Sequence, residues 1–217
     1  MEENMSILNE ISTAMQTGDV SLTLSLISTA LNENIPADTI LNEGLMPGMN
    51  EMGEKFRNYE VFVPEVLIAA RAMQKGVEKL TPLLQDETAV NRGIAVIGTV
   101  RGDMHDIGKN LVRIMLEGKG ITVYDLGTDV SAEQFADKAE ETGADLICCS
   151  ALLTTTMPEM KKVVDIVKQR GLKTKVMIGG APVTQEFCQQ IGADCYTDDA
   201  ASAADEAVRL IEELRRQ

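Results

Sequence analysis

The sequence predicts a helical bundle followed by a doubly wound α/β domain built on a five-stranded parallel sheet. Three observations lead there. Apolar residues recur at intervals of three and four through roughly the first 85 positions, the period of amphipathic helices. From Arg92 onward, short near-continuous apolar runs alternate with amphipathic stretches, the pattern of parallel strands covered by helices on both faces. Between the two, residues 85–91 are polar and unpatterned and read as a linker, so the domains are taken as residues 1–88 and 89–217.

The elements follow in order. Helices are predicted at 5–16 and 19–33, with Asp19 as the N-cap of the second. Pro36 suits the first turn of a third helix reaching Leu45, and Pro47 starts another that ends at Phe56. Pro64 opens a longer helix through Leu80, in which Ala69, Ala70 and Ala72 form a small-residue face. Short helices of this kind make a bundle. Beyond the linker, strands are predicted at 93–99, 121–125, 145–150, 174–179 and 194–197. Helices are predicted at 107–118, 131–142, 156–170, 184–191 and 199–215, with Ser131 and Gln134 forming a capping box. Five such βα units fit a flavodoxin-like, Rossmann-like sheet of order 2-1-3-4-5.

Composition narrows the function. Apolar residues make up 44% of the chain but aromatics only 3%, so aliphatic residues and the 12 methionines fill the core. Met46, Met49, Met52 and Met73 are read chiefly as core filler, with a soft apolar lining as the alternative. A net charge of −14 argues against nucleic acid as a partner, because phosphate binding needs a basic face; an acidic surface favours docking onto basic protein surfaces. No apolar run approaches the ~20 residues of a membrane span. The start Met1-Glu2-Glu3-Asn4 has no signal-peptide pattern. Cys148, Cys149, Cys188 and Cys195 form no C-x-x-C pair and read as reduced structural thiols of a cytoplasmic protein.

The one histidine of the chain, His105, falls in the loop between the first predicted strand of the sheet and its helix, where open α/β sheets bind ligands. Asp103 is placed to orient its ring, and glycines flank it. In the predicted strand order two further loops meet this one: residues 150–156, rich in hydroxyls, and Gly179-Gly180-Ala181-Pro182. Each part has a plain structural reading: a solvated histidine, hydroxyls that cap the next helix, a glycine turn. No G-x-x-x-x-G-K-[ST] loop is present, and the lysine that a phospho-aspartate switch needs after the last strand is missing, where Asp198 stands instead.

The intervals are more specific than the parts. Asp103-x-His105-x-x-Gly108, then 41 residues, Ser150-x-Leu152, then 26 residues, and Gly179-Gly180 resembles the cobalamin-binding signature of corrinoid methyltransferases and mutases. In the helical half, Gly48-Met49-x-x-Met52-Gly53-x-x-Phe56, Phe62-Val63-Pro64 and Ala69-Ala70-Arg71-Ala72-Met73 resemble the cap domain of methionine synthase and of small methyl-carrying corrinoid proteins. The likeness spans nearly the whole chain. It is strongest to the corrinoid proteins of the methylamine, methanol and betaine methyltransferase systems, and the run from Ser150 to Met157 is particularly similar to the methylamine branch.

That resemblance implies a cobalamin or related corrinoid, cycling between methylcobalamin and cob(I)alamin and bound base-off and His-on, with His105 as the lower axial ligand of cobalt. Asp103 would hold the other ring nitrogen, and Thr156 would complete the relay where the family has serine. Gly102, Met104, Asp106, Ile107 and Gly108 would line the cofactor, Ser150, Leu152 and Thr154 its displaced tail, with Gly179 and Gly180 giving room. Phe56, Phe62, Val63 and Val66 would shield the methyl group from above. The implied partners are a substrate:corrinoid methyltransferase, a second methyltransferase delivering to a thiol or tetrahydrofolate, and a reductive activase, in one-carbon metabolism of the methanogenic or acetogenic kind. The chain would then be the methyl-carrying component of a multi-protein system, not a stand-alone enzyme. The competing readings are the small subunit of an adenosylcobalamin-dependent mutase, a cobalamin sensor, and a flavodoxin-like module without cobalt.

Overall fold

A computed structural model describes residues 2–84 and 92–216, so the predicted linker at 85–91 lies outside the described residues. Two compact units are present. The first is helical: α1 (Glu2–Gln16), α2 (Val20–Asn32), α3 (Ala37–Thr39), α4 (Met46–Arg57) and α5 (Val63–Leu80). The N-cap of α2 is Asp19, whose Oδ1 accepts the Leu22 N–H at 2.9 Å. Met46, Met49, Met52 and Met73 are all buried, which makes them core filler.

One expectation is met in part. Pro47 stands in the first turn of α4, but α4 is not separate: α3 runs into it through a π-helical segment, Ile40–Leu45. Proline has no N–H to give and crowds the carbonyl four residues back. The wider turn, in which the Met46 N–H reaches the Leu41 carbonyl, carries the helix past it without a break. Gly44 and Gly48, one turn apart, allow this stretch to lie close on α1. A Cβ at Gly48 would stand 2.5 Å from Met15 Cε and 2.8 Å from Ser12 Oγ.

The second unit is a five-stranded parallel sheet of order β2-β1-β3-β4-β5, the order expected. Its strands are β1 (Gly93–Thr99), β2 (Ile121–Asp125), β3 (Leu146–Ser150), β4 (Lys175–Gly179) and β5 (Cys195–Tyr196). Between and after them run α6 (Ile107–Gly118), α7 (Ala132–Thr142), α8 (Met157–Gln169), α9 (Gln185–Ile191) and α10 (Ala200–Arg215). Alternate strand residues enter one core with α7, α8 and α9: Val96, Ile147, Cys149, Val176 and Ile178 pack there with the fully buried Phe135. Gly98 leaves the room that ring needs, since a Cβ would lie 2.8 Å from Phe135 Cζ. The helices begin one residue later than expected where the first residue is a cap, as at Ser131, Thr184 and Asp199. The edge strand β5 is shorter than predicted; Asp194, just before it, joins β4 through its N–H on the Val176 carbonyl at 2.8 Å and through its carboxylate on the Val176 N–H at 2.8 Å and Lys175 at 2.9 Å.

Candidate functional site

Parallel pairing brings Thr99, Ser150 and Gly179 into line across β1, β3 and β4, so the three loops that follow start side by side. At their junction lies Asp103, fully buried. Its carboxylate takes five donors. Oδ1 accepts His105 Nδ1 at 2.7 Å and the His105 backbone N–H at 3.1 Å. Oδ2 accepts the N–H groups of Leu152 at 2.8 Å and Leu153 at 3.2 Å, and Thr156 Oγ1 at 2.8 Å. Burial alone would raise the carboxyl pKa; hydrogen bonds from His105, Leu152 and Thr156 outweigh it and hold the group well below the ordinary carboxylate range. Asp103 is therefore an anion that ties the second loop to the first.

With Nδ1 turned to Asp103, the donor nitrogen of a neutral ring is Nδ1 and the lone pair sits on Nε2. The His105 side chain is half exposed, so Nε2 is the nitrogen open to a ligand. Thr156 stands at the N-cap of α8 yet makes no side-chain cap bond. Its hydroxyl lies between Asp103 Oδ2 and the Leu153 carbonyl, 2.9 Å away, and its single proton serves one of them at a time. The plain reading of this threonine as a helix cap thus fails.

Around the imidazole the surface is apolar and open: Met104, Ile107, Leu152 and Leu153 are all exposed. Thr154 is exposed and Ser150 half-buried. Asp106, exposed at the N-cap of α6, accepts from Asn110 Nδ2 at 3.1 Å. The glycines differ. A Cβ at Gly108 would meet nothing, and one at Gly179 would come no nearer than 3.9 Å to the Thr197 carbonyl, so both leave space beside the loops. Gly180 is required by the fold itself: at φ +130°, a Cβ would fall 1.9 Å from the Ala151 carbonyl oxygen. Gly102 takes φ +80° in the turn before Asp103.

Three polar residues at the site carried no motif signal. Thr99 donates through Oγ1 to the His105 carbonyl at 2.8 Å. Asp129 accepts the Gly102 N–H on Oδ1 at 2.7 Å. Lys109 is buried and pairs with Asp125, its Nζ 2.7 Å from Oδ1. A lysine this buried is the kind of residue that needs a partner, but only its burial, not its type, reveals that.

In the helical unit, Phe56 and Val63 are half-buried, Phe62 is 62% exposed and Val66 is buried. Beside them Tyr59 is 84% exposed, with its backbone in the left-handed region at φ +61°. Among the described residues no group of three or more His, Cys, Asp or Glu is arranged to hold a bare metal ion. A single presented imidazole inside an apolar rim suits a metal whose remaining ligands come with a flat macrocycle, and the open sides of Gly108 and Gly179 leave such a group room.

Comparison with known proteins agrees with that chemistry. Residues 93–208 match a B12 binding domain, and residues 7–81 match a second B12-binding model. Dimethylamine corrinoid protein 1 of Methanosarcina acetivorans is 43% identical over 208 residues, covering 94% of this chain and 97% of that protein. A chain in the crystal structure of the methanol:cobalamin methyltransferase complex of Methanosarcina barkeri superposes with a TM-score of 0.85 at 29% identity, over 95% of this chain and 80% of that one. A cobalamin-binding protein of Desulfitobacterium hafniense gives 0.79 at 33% identity, over 94% and 98%. The fold and the matched domains define a B12-binding protein. Within that class the chain belongs to the corrinoid methyl-carrier proteins.

Proposed function

We propose that this protein carries a methyl group on the cobalt of a corrinoid bound base-off and His-on, with His105 Nε2 as the lower axial ligand. One observation carries the reading: a half-exposed imidazole whose other nitrogen is held at 2.7 Å by a buried, donor-saturated carboxylate, at the centre of an exposed apolar rim. When bound, the corrinoid's cobalt supplies the nucleophile that accepts the methyl group and the carrier from which it leaves. The chain's own residues bind and tune. Asp103 fixes the ring and raises its basicity as a ligand, while Thr156 gives the carboxylate a proton partner that can turn toward Leu153.

Met104, Ile107, Leu152 and Leu153 exclude water from the lower face, with Gly102 and Asp106 on the same loop. Ser150, Leu152, Thr154, Gly108, Gly179 and Gly180 line the path of the displaced tail. Phe56, Phe62, Val63 and Val66 supply the apolar shield over the methyl group, with residues 1–88 acting as the cap and residues 89–217 as the corrinoid-binding domain. The separate family matches at 7–81 and 93–208 support that division.

The donor is a methylated amine held by a substrate:corrinoid methyltransferase. The 43% identity to a dimethylamine corrinoid protein supports the amine, and the likeness to a chain of a methyltransferase complex supports the partner. A second methyltransferase passes the methyl on to a thiol or tetrahydrofolate, and a reductive activase restores the reduced cofactor. We place the protein in the cytoplasm. Four buried cysteines, all free, fit a reducing compartment, and among the described residues no helix is long and apolar enough to cross a membrane.

The test is reconstitution with hydroxocobalamin, then absorbance spectra of the wild type and His105→Ala. Loading with a His-ligated spectrum that is lost in the variant is expected; no uptake, or identical spectra, would overturn the ligand assignment. Transfer assays with purified methylamine methyltransferases test the donor.

A further inference from the structure

His105 sits in a loop without regular structure, yet its backbone has no slack, and the restraint comes from outside the motif. Thr99, fully buried at the end of β1, is fastened on both sides by the loop between β2 and α7. Its N–H donates to the Gly127 carbonyl at 2.9 Å, and its carbonyl accepts the Val130 N–H at 3.0 Å. Its hydroxyl then holds the His105 carbonyl at 2.8 Å. Asp129, in that same loop, grips the other end. Its N–H donates to the Asp103 carbonyl at 3.0 Å, while its carboxylate takes the Gly102 N–H at 2.7 Å. Asp129 does this from the left-handed region, φ +56°, which aspartate tolerates better than most residues.

The Asp103 N–H closes the turn onto the Val100 carbonyl at 3.1 Å, so both backbone polar groups of Asp103 and of His105 are engaged. Behind this, Asp125 accepts the Gly127 N–H at 2.9 Å and pairs with buried Lys109, which steadies the loop that does the holding.

We propose that Thr99 and Asp129 are positioning residues: they hold the His105 loop so that the imidazole is kept in its Nδ1–H, Nε2-open form before any ligand arrives. The inference rests on the reading of His105 as the ligand. A loop ordered in the free chain does not have to be ordered on binding, which strengthens the affinity for whatever the ring binds. The tautomer is set by the bond from Nδ1 to Asp103, and a neutral imidazole that a slack loop lets slip from that carboxylate populates both forms.

The chain itself makes the test clean, because its one histidine gives one set of ring signals. The full ligand-free chain, labelled with ¹⁵N-histidine, is examined by NMR across a pH series up to the plateau of its ring signals as wild type, T99V and D129G. T99V keeps the shape and deletes the hydroxyl. D129G keeps the left-handed backbone and its N–H bond and deletes the carboxylate on an exposed loop. The wild type is expected to show a single Nδ1–H tautomer, and both variants a mixture, with hydroxocobalamin affinity lowered about tenfold. T99S and D129N, which retain the hydroxyl and an acceptor oxygen, should restore the wild-type ring pattern. Unchanged ring signals in T99V and D129G would overturn the proposal even if their melting temperatures fell, because a merely structural role predicts that result. A wild-type ring already mixed in the free chain would overturn it as well, and would leave the ligand reading standing. Failure of His105→Ala to alter the loaded spectrum would instead remove the ligand reading.

Discussion

The two regions assigned to the corrinoid are built on opposite principles. Around His105 in the α/β unit the organisation is polar and directional, with a buried carboxylate taking five donors and two neighbouring loops locking the third. Around Phe62 in the helical unit the exposed surface is aromatic: Phe62 and Tyr59 lie largely open, and among the described residues no side-chain hydrogen bond is seen to fix either ring. A group that ligates must be held at one nitrogen and one angle, which takes hydrogen bonds. A group that shields needs area and freedom to move aside, which takes neither. The first region commits stability to geometry; in the second, the exposed Phe62 ring has little stake in the fold.

The sharpest way to break this contrast is to remove one group from each side. Asp103→Ala leaves buried donors without an acceptor, and is expected to destabilise the ligand-free chain by about 3–5 kcal/mol in urea unfolding. Phe62→Ala should change stability by less than about 0.5 kcal/mol, while exposing the loaded cofactor to faster oxidation. Equal losses of stability in the two variants would erase the distinction.

Acid provides the same contrast without mutation. Asp103 is held below the ordinary carboxylate range by hydrogen bonds that outweigh burial, and so is Asp125, chiefly through Lys109. A carboxyl depressed in the folded state contributes stability that is complete above its unfolded value, about 3.9, and is lost as pH falls through the lower folded values. Thermal unfolding followed from neutral pH downward should show stability draining away below about pH 4, with a shallower decline in Asp103→Asn.

The glycines sharpen the comparison within the α/β unit. Gly180→Ala forces a Cβ onto the Ala151 carbonyl at φ +130° and should cost about 2–3 kcal/mol. Gly108→Ala meets no atom within 4 Å and sits in α6, so it should leave the free chain as stable or slightly more so. If Gly108 borders the tail path, that variant will weaken hydroxocobalamin uptake all the same; unchanged uptake would remove Gly108 from the path.

A gain in stability is expected in the helical unit. Tyr59 closes α4 in the left-handed conformation that glycine adopts without strain: its N–H bonds the Phe56 carbonyl, and the Glu60 N–H reaches back to the Lys55 carbonyl. Tyr59→Gly should stabilise the chain by about 0.5–1 kcal/mol. A loss of stability there would mean that the exposed ring supports the fold after all.

Much of this was legible in the residues. The period of the apolar pattern marked the helices and strands, and near-continuous runs such as Ile147-Cys148-Cys149 marked strands buried on both faces. Ser131 and Asp19 announced helix starts because a cap is a contact across three residues. The interval from Asp103 to His105 is as local, and the carboxylate-to-ring bond spans only two positions. The π-helical passage from α3 into α4 was not legible, since proline normally marks a helix start and the close approach of Gly48 to α1 exists only in the fold. Thr99 and Asp129 were not legible either: one looks like the last residue of a strand, the other like an ordinary turn aspartate.

By itself, then, the sequence determined the order and kind of the elements, the strand order they imply, and the loop in which the one imidazole stands beside a carboxylate, because each depends on period, spacing or a contact within a few positions. Only the tertiary structure decided that Asp103 is buried under five donors, that Thr156 turns to it across 53 positions and away from its own helix, and that the loop after β2 bonds Gly102 and Asp103 just ahead of His105. Those contacts join residues far apart in the chain. Nothing in the type of a threonine or an aspartate says which distant loop it will meet until the sheet has closed the distance.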